Sequence, residues 1–479
     1  MAEIKFGTDG WRAIIAEDYT FENLKIVSQA VADYAGCGKK IAVGYDTRFM
    51  SENFALAASR VFAANGIQVT LSDMAIPTPA LSFAVKKNKL DLGVMITASH
   101  NPAEYNGFKI KTSTGGAAGV EMTKEVENLL GKSGVKCLPA SQELKRVDVT
   151  GDYVNFIRSF IDLKKIRNKR FKVLVDPMHG SGDSFIARIL KGTDIRLEFI
   201  RDTVNPSFGG IRPEPLEENL EELKKRVRRE KFDLGIALDG DADRIAAFCG
   251  PGVFIHPQKI LGLLALHLNQ DRGWSGGIVK TIAGSTMMDK IAKSLGVRLY
   301  ETPVGFKYIS NLMETEDILC GGEEAGGMGF KGYIPERDGT VAGLLLLEMM
   351  AYRNKSMIDI LQDMERQFGR YYYLRDDLRL EHRVEPKKDG LPRELGAKES
   401  IERTAKIAKK VIAEGDFLAG KKVVEVKDYD GIKLICEDES WLMFRASGTE
   451  ALMRLYSEAK TLKRSKELLG LGARIMRKL

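Results

Sequence analysis

Two apolar stretches of this chain share one pattern and then lead into different polar motifs. Residues 90–96 (LDLGVMI) and 232–238 (FDLGIAL) align without a gap. The first continues into 97–102 (TASHNP) and the second into 239–244 (DGDADR), so Ser99 falls where Asp241 stands in the other copy. A short apolar run that ends in a polar loop is typical of a buried strand that reaches the edge of a sheet. The pair therefore predicts a repeated unit that presents a hydroxyl in one copy and carboxylates in the other.

The repeat extends to a third, weaker copy. Strand-like runs at 40–46, 172–177 and 277–282 are each followed by a helical pattern and then by a second strand, which begins at Asp91, Asp233 and Asp317. In the third copy only the aspartate and the polar loop after the strand agree with the others, so chance similarity stays open there. Strands that alternate with helices indicate mostly parallel sheets, and ligands bind beyond the carboxyl ends of such strands.

The pattern changes near residue 370. Runs at 371–374 and 421–426 predict strands, a charged stretch near 400–413 predicts a helix, and 384–396 is rich in Pro, Gly and charge, which predicts a loop. We expect an α/β protein with three related α/β domains, whose sheets are mixed but mostly parallel, and a smaller α+β C-terminal domain. The expected boundaries are 1–150, 151–255, 256–370 and 371–479.

The length of the chain indicates several domains, and its charge limits the kinds of partner that it can bind. Its 479 residues exceed the roughly 250–300 residues at which a single core stops growing, which requires several domains. The net charge of +7 arises from 73 basic and 66 acidic residues that are scattered along the chain. No dense Lys/Arg block of the kind that binds nucleic acid is present, and a mild positive bias suits small anionic substrates.

The cysteines and the apolar runs favour a cytoplasmic protein. Five dispersed cysteines without a C-x-x-C pair argue against a disulfide framework and indicate a reducing compartment. The first five residues lack the apolar core of a signal peptide. The longest apolar runs, such as 343–347, are too short to cross a bilayer and predict a buried helix. We expect no nucleic-acid or membrane partner, and either a monomer or a dimer.

Three aspartates in alternate positions dominate the second motif. Asp239, Asp241 and Asp243 stand in a tight, glycine-containing loop, where three carboxylates can converge on one ion. Ligation by carboxylate oxygens selects a hard cation, with Mg²⁺ preferred to Ca²⁺ at a site of phosphoryl transfer. A calcium EF-hand does not fit, because its glycine and glutamate positions hold Arg244 and Gly250. An ordinary acidic turn is the alternative, but its like charges would repel each other.

Ser99 belongs to the first motif. No G-x-S-x-G pattern surrounds it, so hydrolase-type acyl chemistry is not supported. His100 is adjacent, but neighbouring side chains generally point apart, so a serine–histidine pair is not implied. A serine beside a cation can carry a phosphoryl group, because such transfer depends mostly on positioning and charge stabilisation. A cap or turn is the commoner role of a lone serine, but the shared lead favours the phosphoryl role. Lys109, just past this loop, could act as a general acid/base or steady a phosphate.

Two further loops have the composition of anion sites. Residues 445–450 (RASGTE) combine a guanidinium, two hydroxyls and a glycine that permits close backbone approach, which predicts a phosphate-binding loop. Residues 7–12 (GTDGWR) are similar to a substrate-facing loop with a cation; a plain turn capped by a buried tryptophan is the alternative. No Walker loop occurs, and the G-x-G-x-x-G match at 327–332 follows a polar loop rather than a strand, so no dinucleotide site is predicted.

Together these motifs resemble those of the α-D-phosphohexomutase superfamily, in its phosphoglucomutase/phosphomannomutase branch. The resemblance runs along essentially the whole chain and keeps the order of the loops at 97–102, 239–244, 322–327 and 445–450. It implies four domains around a central cleft, the first three alike, in agreement with the repeat.

The resemblance also implies a role for each matched residue. The implied catalytic residues are Ser99, which would be the phosphoserine, with Arg12, His100 and Lys109. The implied ligands of one Mg²⁺ per chain are Ser99, Asp239, Asp241 and Asp243. The implied substrate-binding residues are Arg244, Lys307, Glu323 for the sugar hydroxyls, and Arg445, Ser447, Gly448 and Thr449 for the phosphate that is not reacting.

The implied reaction has two half-reactions, with glucose 1,6-bisphosphate as activator. Phosphoserine gives its phosphoryl group to a sugar monophosphate, the bisphosphorylated sugar turns around, and the serine recovers the other phosphoryl group. Many relatives carry Ser and His where this chain has Ala325 and Gly327, and residues 334–339 (IPERDG) resemble those of glucose-using members. We therefore expect an intramolecular phosphotransferase that interconverts glucose 1-phosphate and glucose 6-phosphate, with room for mannose phosphates.

Other functions stay open at this point. A phosphomannomutase or a phosphoglucosamine mutase would use the same residues, although the serine loop is not of the glucosamine kind. A Mg²⁺-dependent sugar phosphatase would need water to reach the phosphoserine and has little use for a dedicated phosphate loop. A non-catalytic phosphosugar-binding protein is disfavoured, because Ser99, the three aspartates, Lys109 and Arg445 are all present.

Overall fold

A computed structural model describes residues 4–182, 184–379, 417–446 and 452–477. The helix expected near 400–413 and the loop expected at 384–396 lie outside these residues. The chain forms two compact units, Met1–Val279 with Gly305–Gln362 and Lys280–Val304 with Asp363–Leu479. Among the residues described, no helix is both long and apolar enough to cross a bilayer.

The regular elements alternate between strands and helices along most of the chain. Up to residue 255 they are β1 (Trp11–Ile14), α1 (Phe21–Ala35), β2 (Lys40–Tyr45), α2 (Ser51–Ala64), β3 (Gln68–Ser72), α3 (Thr78–Lys87), β4 (Leu92–Ile96), β5 (Tyr105–Thr112), α4 (Val120–Leu129), β6 (Arg146–Val147), α5 (Gly151–Phe160), α6 (Leu163–Ile166), β7 (Lys172–Asp176), α7 (Phe185–Leu190), β8 (Arg196–Phe199), 3₁₀ turns at Phe208–Gly210 and Glu217–Leu220, α8 (Glu221–Glu230), β9 (Leu234–Leu238), β10 (Ile245–Cys249) and β11 (Val253–Ile255).

The remaining elements end in a strand-rich segment. They are α9 (Pro257–Leu266), a π-helical turn at His267–Asp271, β12 (Gly277–Thr281), α10 (Met287–Leu295), β13 (Leu299–Thr302), α11 (Phe306–Thr315), β14 (Ile318–Gly322), β15 (Met328–Phe330), α12 (Gly339–Arg353), α13 (Met357–Phe368), β16 (Tyr372–Arg379), β17 (Phe417–Leu418), β18 (Lys421–Lys427), β19 (Ile432–Cys436), β20 (Trp441–Ala446), β21 (Leu452–Ala459) and α14 (Leu462–Arg477).

Two mixed sheets of the first unit have the same central topology. The first has the order β1-β5-β4-β2-β3-β6, in which β2 runs parallel to β3 and β4, and β5 runs antiparallel to β4 and β1. The second has the order β11-β10-β9-β7-β8, in which β7 runs parallel to β8 and β9, and β10 runs antiparallel to β9 and β11. In both sheets the polar motif therefore connects a strand to its antiparallel neighbour.

The third copy has the same connection. β14 and β15 pair antiparallel, with Gly322 opposite Met328, and the polar loop joins them. The similarity that the sequence left open to chance is thus present in the structure. The mixed α/β sheets confirm the predicted fold class.

The glycine shared by the two apolar leads has the same packing role in each copy. A Cβ on Gly93 would lie 2.6 Å from Cγ2 of Val85 in α3, and a Cβ on Gly235 would lie 2.6 Å from Cγ2 of Val227 in α8. Any side chain at either position would push the helix away from the sheet, because packed interiors leave no room at such distances. The repeat in the sequence thus reflects a repeated contact between helix and strand.

Helix α12 is the buried helix that the apolar run predicted. Asp338 caps it by accepting the N–H of Val341 at 2.9 Å, and residues 339–351 are all buried. A helix that is apolar on every face is expected in the interior of a large domain rather than at its surface. Since Asp338 directly follows the residues of the 334–337 loop, the cap also fixes where that loop ends.

The second unit is built on an antiparallel sheet with the order β16-β21-β20-β19-β18-β17, which packs against α14. Within this unit, buried Lys433 of β19 donates to the carbonyl groups of Ile282 at 2.8 Å and Gly284 at 3.2 Å, and its Nζ lies 3.9 Å from the ring centre of Trp441. Glu458 accepts the N–H of Thr286 and the indole N–H of Trp441. Segment 280–304 is therefore fixed to the C-terminal sheet by buried polar contacts.

Candidate active site

The serine loop, residues 97–105, holds Ser99 in an unusual backbone conformation. Ser99 is 1% exposed and has a φ of 53°, in the left-handed region that non-glycine residues seldom occupy. Its N–H donates to Oγ1 of Thr97 at 2.8 Å, and its Oγ donates to Oδ2 of Asp239 at 2.8 Å. Nδ1 of His100 lies 3.4 Å from Oγ of Ser99, so these two neighbouring side chains lie close together although neighbours generally point apart.

The metal loop, residues 239–244, places its three aspartates around one point. All three are buried, and one oxygen from each lies within 4.8 Å of the others. Oδ1 of Asp239 accepts the N–H groups of Asp243 at 3.0 Å and Arg244 at 3.1 Å, so this carboxylate also shapes the loop. Burial, reinforced by Asp243 and Asp241, raises the pKa of Asp239 well above its usual value.

Two oxygens of this group lack a hydrogen-bond partner. Oδ1 of Asp241 and Oδ1 of Asp243 are fully buried and accept no hydrogen bond from any residue that the structure describes. A buried carboxylate oxygen without a partner is costly, because it has lost its hydration and gained nothing in return. Carboxylate oxygens that converge in this way fit a hard divalent cation such as Mg²⁺. The residues present therefore suit a metal ion, and the loop is a buried metal-binding site.

Lys109 lies beside the metal loop, on β5. Its Nζ is 2.7 Å from Oδ2 of Asp241, 3.1 Å from Oδ2 of Asp243 and 2.8 Å from Oδ2 of Asp9. Burial alone would lower the pKa of Lys109, but these carboxylates outweigh it and hold the pKa well above its usual value. Lys109 is therefore a permanent cation at neutral pH.

Arg337 and Asp9 were not singled out by the sequence analysis, yet both belong to the site. The guanidinium of Arg337 contacts Asp9, lies 2.6 Å from Oδ2 of Asp243 and lies 3.0 Å from Oε2 of Glu323. Burial raises the pKa of Asp9, but Arg337 and Lys109 outweigh it and hold that pKa well below its usual value. Arg337 thus joins the N-terminal, metal and sugar loops through three carboxylates.

Arg12 and Arg244 extend the cationic lining. Nη1 of Arg12 donates to Oδ1 of Asn101 at 2.7 Å, which ties β1 to the serine loop. Nε of Arg244 lies 4.0 Å from Asp239 and 3.9 Å from Asp243. Burial lowers the pKa of Arg12 somewhat, but arginine stays charged in any accessible pH range.

The sugar loop, residues 323–327, follows β14. Glu323 is 8% exposed, and burial raises its pKa although Arg337 and Arg244 oppose this effect. Lys307 lies in the first turn of α11, and partial burial lowers its pKa while Asp9 opposes this effect. Both side chains therefore carry polar groups that are partly removed from water.

Arg445 is the last residue but one of β20, in the second compact unit. Its Nε lies 3.1 Å and 3.0 Å from the two oxygens of Asp430, and Oδ2 of Asp430 also accepts the N–H of Val304 at 2.7 Å. The other predicted phosphate-loop residues, Ser447, Gly448 and Thr449, lie outside the described residues.

The structure brings most of the predicted residues together within the first unit. Ser99, His100, Lys109, Arg12, Arg244, Glu323 and the three aspartates are joined through direct contacts or a single shared partner. Asp9 and Arg337 complete the group. The sequence did contain a signal for them, because both stand in loops whose other residues predicted a site. Their pairing joins positions 328 residues apart, which no local pattern reveals.

Comparison with known proteins gives a consistent family. Models of the phosphoglucomutase/phosphomannomutase α/β/α domains I, II and III match residues 3–134, 151–252 and 256–368. A phosphoglucomutase/phosphomannomutase of Thermococcus kodakarensis is 30% identical over 98% of both chains, and a phosphoglucosamine/phosphogalactosamine mutase of Sulfurisphaera tokodaii is 31% identical over 95% of both. A solved structure from Thermus thermophilus that carries the name of a phosphomannomutase has a TM-score of 0.85 and 32% identity, and covers 99% of each chain.

These findings define the class of the protein as a phosphomutase, an enzyme that moves a phosphoryl group within its substrate. The chain belongs to the phosphoglucomutase/phosphomannomutase family of the α-D-phosphohexomutase superfamily. The names of the relatives differ in the hexose, so membership establishes sugar-phosphate chemistry without selecting one sugar.

Proposed function

We propose that the enzyme interconverts glucose 1-phosphate and glucose 6-phosphate through a phosphoserine at Ser99 and a bisphosphorylated sugar. The observation that carries this proposal is the 2.8 Å hydrogen bond from Oγ of Ser99 to Asp239. In this group of carboxylates, two oxygens accept no hydrogen bond from the described part of the chain. This places a hydroxyl that can accept phosphate directly beside a site for a hard cation.

Ser99, Asp239, Asp241 and Asp243 would hold one Mg²⁺ in this proposal. The ion would neutralise charge on the phosphoryl group that is being transferred. Lys109 and Arg337 contact the Oδ2 atoms of Asp241 and Asp243, so the Oδ1 atoms of these two aspartates would be available to the ion. The divalent ion, Lys109 and Arg337 would together offset most of the negative charge of the carboxylates around them.

The transfer needs little more than position and charge. In the forward half-reaction a sugar hydroxyl attacks phosphorus, the bond from phosphorus to Oγ of Ser99 breaks, and the hydroxyl proton passes to that oxygen. His100, 3.4 Å from Oγ, is placed to carry this proton. Lys109, whose Nζ contacts Asp241, Asp243 and Asp9, would supply positive charge beside the transferring group. Arg12 and Arg244 complete the cationic lining on which the phosphates rest.

The choice of glucose depends on the sugar loop. Glu323 would accept hydroxyl groups of the sugar, and Lys307 would contact the substrate. Ala325, Gly327 and the 334–339 segment support glucose over the other hexoses. Mannose phosphates differ at one hydroxyl and would be weaker substrates. A preference for glucosamine phosphates is the alternative, and the Sulfurisphaera tokodaii relative favours it.

The remaining features of the proposal follow from the resemblance. Arg445, Ser447, Gly448 and Thr449 would hold the phosphate that is not reacting, and glucose 1,6-bisphosphate would prime Ser99. Four domains with boundaries near 150, 255 and 370 would surround the substrate. The five cysteines, all of which lie in the described part of the chain, form no disulfide there, which supports a cytoplasmic location. The oligomeric state, monomer or dimer, stays a prediction.

Parallel kinetics with three sugars test the proposal. The full-length protein, with Mg²⁺ and glucose 1,6-bisphosphate, is assayed with the 1-phosphates of glucose, mannose and glucosamine. We expect kcat/KM for the glucose substrate to exceed the other two by at least about tenfold. A preference for glucosamine 1-phosphate would establish the alternative. Release of inorganic phosphate as fast as isomerisation would mean that the enzyme is a phosphatase.

A further inference from the structure

Arg48 is a buried residue that donates hydrogen bonds to backbone carbonyl groups of the serine loop. It follows β2 and is 3% exposed. Nη1 donates to the carbonyls of Pro102 at 2.8 Å and Tyr105 at 3.1 Å, and Nη2 donates to those of Ser99 and Asn101 at 2.6 Å each. Four backbone acceptors within one short loop thus share a single guanidinium, whose planar array of donors can reach all of them at once.

A second set of contacts fixes the backbone N–H of Ser99. Asp46 lies 3.2 Å from Nε of Arg48 and accepts Oγ1–H of Thr97 at 2.6 Å. Thr97 in turn accepts the N–H of Ser99. The two peptide groups that flank Ser99 are therefore fixed, one by Thr97 and one by Arg48. Such bracing is needed because a left-handed serine backbone persists only where its surroundings enforce it.

The carbonyl of Ser99 also touches the metal loop. A Cβ on Gly240 would lie 2.5 Å from this oxygen, so only glycine lets the metal loop come so close. Arg48 holds the same oxygen from the other side. The position of this one carbonyl therefore sets how far Oγ of Ser99 lies from Asp239. Arg48 also stacks on Phe208, 4.8 Å from the ring centre, which limits its own movement.

We propose that Arg48 is a positioning residue for phosphoryl transfer: it fixes the carbonyl of Ser99, and with it the placement of Oγ beside the metal loop. The proposal rests on the assignment of Ser99 as the phosphoryl acceptor. Lysine cannot replace Arg48, because one ammonium keeps the charge but cannot reach four carbonyls in a plane. The contacts of Arg48 are with backbone carbonyls and with Asp46 rather than with residues assigned to the substrate, so its loss should lower kcat and leave KM nearly unchanged.

The test compares Arg48→Lys with Arg272→Lys. Arg272 is another largely buried arginine; it pairs with Glu348 and the carbonyl of Phe160, so its variant reports the general cost of losing a buried guanidinium. Three quantities are measured. They are the rate of phosphorylation of Ser99 by glucose 1,6-bisphosphate, read by intact mass, the rate of hydrogen exchange of residues 99–105, and KM. For R48K we expect transfer about 100-fold slower and exchange at least about tenfold faster. KM should stay within about threefold, and R272K should match the wild type in all three.

Thr97→Val is a second test variant. It should fold even if R48K does not fold, because it only replaces a hydroxyl with a methyl group. It breaks the path from Asp46 to the amide of Ser99 and should slow transfer in the same direction. Transfer at the wild-type rate in R48K, or equal losses in R48K and R272K, would overturn the proposal. If the wild type itself is not phosphorylated at Ser99, the proposed function fails; unchanged exchange in R48K would separately show that Arg48 does not hold the loop.

Discussion

Nζ of Lys109 lies 2.7 Å from Oδ2 of Asp241, while Oδ1 of the same carboxylate is buried without a hydrogen-bond partner. The two oxygens of Asp241 thus have separate environments, one neutralised within the protein and one directed at the metal site. Asp243 is divided in the same way, with Lys109 and Arg337 on its Oδ2. The two cations limit the repulsion between the aspartates.

Replacing Ser99 with alanine should abolish phosphorylation of the protein by glucose 1,6-bisphosphate and reduce turnover at least about 10³-fold. The variant lacks the only oxygen that the proposal assigns to the phosphoryl group. Intact mass and the rate of isomerisation measure the two effects. Ser59→Ala is the matched control, since Ser59 is a buried serine of α2 whose hydroxyl has no hydrogen-bond partner. Substantial turnover by S99A would refute the assignment.

Replacing Asp241 or Asp243 with asparagine should weaken metal binding at least about tenfold, because each variant loses one charged ligand. Titration calorimetry with Mg²⁺ or Mn²⁺ on unphosphorylated protein measures the affinity without recourse to activity. Asp176→Asn serves as the control, because Asp176 is a buried aspartate that pairs with Arg201 outside the metal loop. Equal affinity in D241N and the wild type would show that the metal lies elsewhere.

Replacing Gly327 with alanine should displace Arg337. A Cβ at this position would lie 2.2 Å from Cδ of Arg337, closer than any packed structure allows. Because Arg337 joins Asp9, Asp243 and Glu323, we expect kcat/KM to fall at least about tenfold. Gly134→Ala, at an exposed position with nothing within 4 Å of the added Cβ, should be neutral. Full activity in G327A would show that the contacts of Arg337 are dispensable.

Stability should depend on pH through Asp338. Burial raises the pKa of this carboxyl to about 7, although the N–H of Val341 and the hydroxyls of Tyr333 and Tyr153 oppose the effect. The folded protein keeps this proton up to about pH 7, whereas the unfolded chain releases it near the usual value of 3.8. The free energy of unfolding therefore falls as pH rises through this window, by up to about 4 kcal/mol.

Urea unfolding at pH 5 and pH 8 measures this pH dependence of the free energy of unfolding for Asp338→Asn and for the wild type. Hydrogen exchange of α12 peptides reports the same effect locally. Asparagine can still cap the helix but does not titrate, so the variant should lose less stability between the two pH values. Asp162→Asn, at the cap of α6, is the control. Identical pH dependence in D338N and the wild type would assign the effect to other groups.

Replacing Arg445 with methionine should raise KM more than it slows phosphorylation of Ser99, since the proposal gives Arg445 the phosphate that is not reacting. We expect KM to rise at least about tenfold. Steady-state kinetics and the intact-mass assay give the two values. Arg464→Met is the control, because Arg464 is tied to the carbonyls of Leu418 and Ala419 within the same sheet domain. Equal losses in both measurements would count against a separate phosphate-holding role.

The sequence predicted the parts of the fold that depend on local pattern. The strands that lead to Ser99 and Asp239 were visible because they are continuous apolar runs with a shared glycine. The metal loop was visible because its ligands are near neighbours in the chain. Asp9, Arg48 and Arg337 were not assigned contacts, since each acts through partners that the fold, rather than the sequence, brings near. The proximity of Ser99 and His100 was not predicted either, because neighbouring side chains generally point apart.

The packing of segment 280–304 against the C-terminal sheet has a consequence for how the chain folds. Trp441 packs with Ile282, Ala283 and Val304 in one apolar cluster, so the last part of the chain completes its interior with residues that the ribosome makes much earlier. A fragment that starts at residue 371 would leave that tryptophan uncovered and would be prone to aggregate. We therefore expect the C-terminal sheet to reach its final packing only together with segment 280–304.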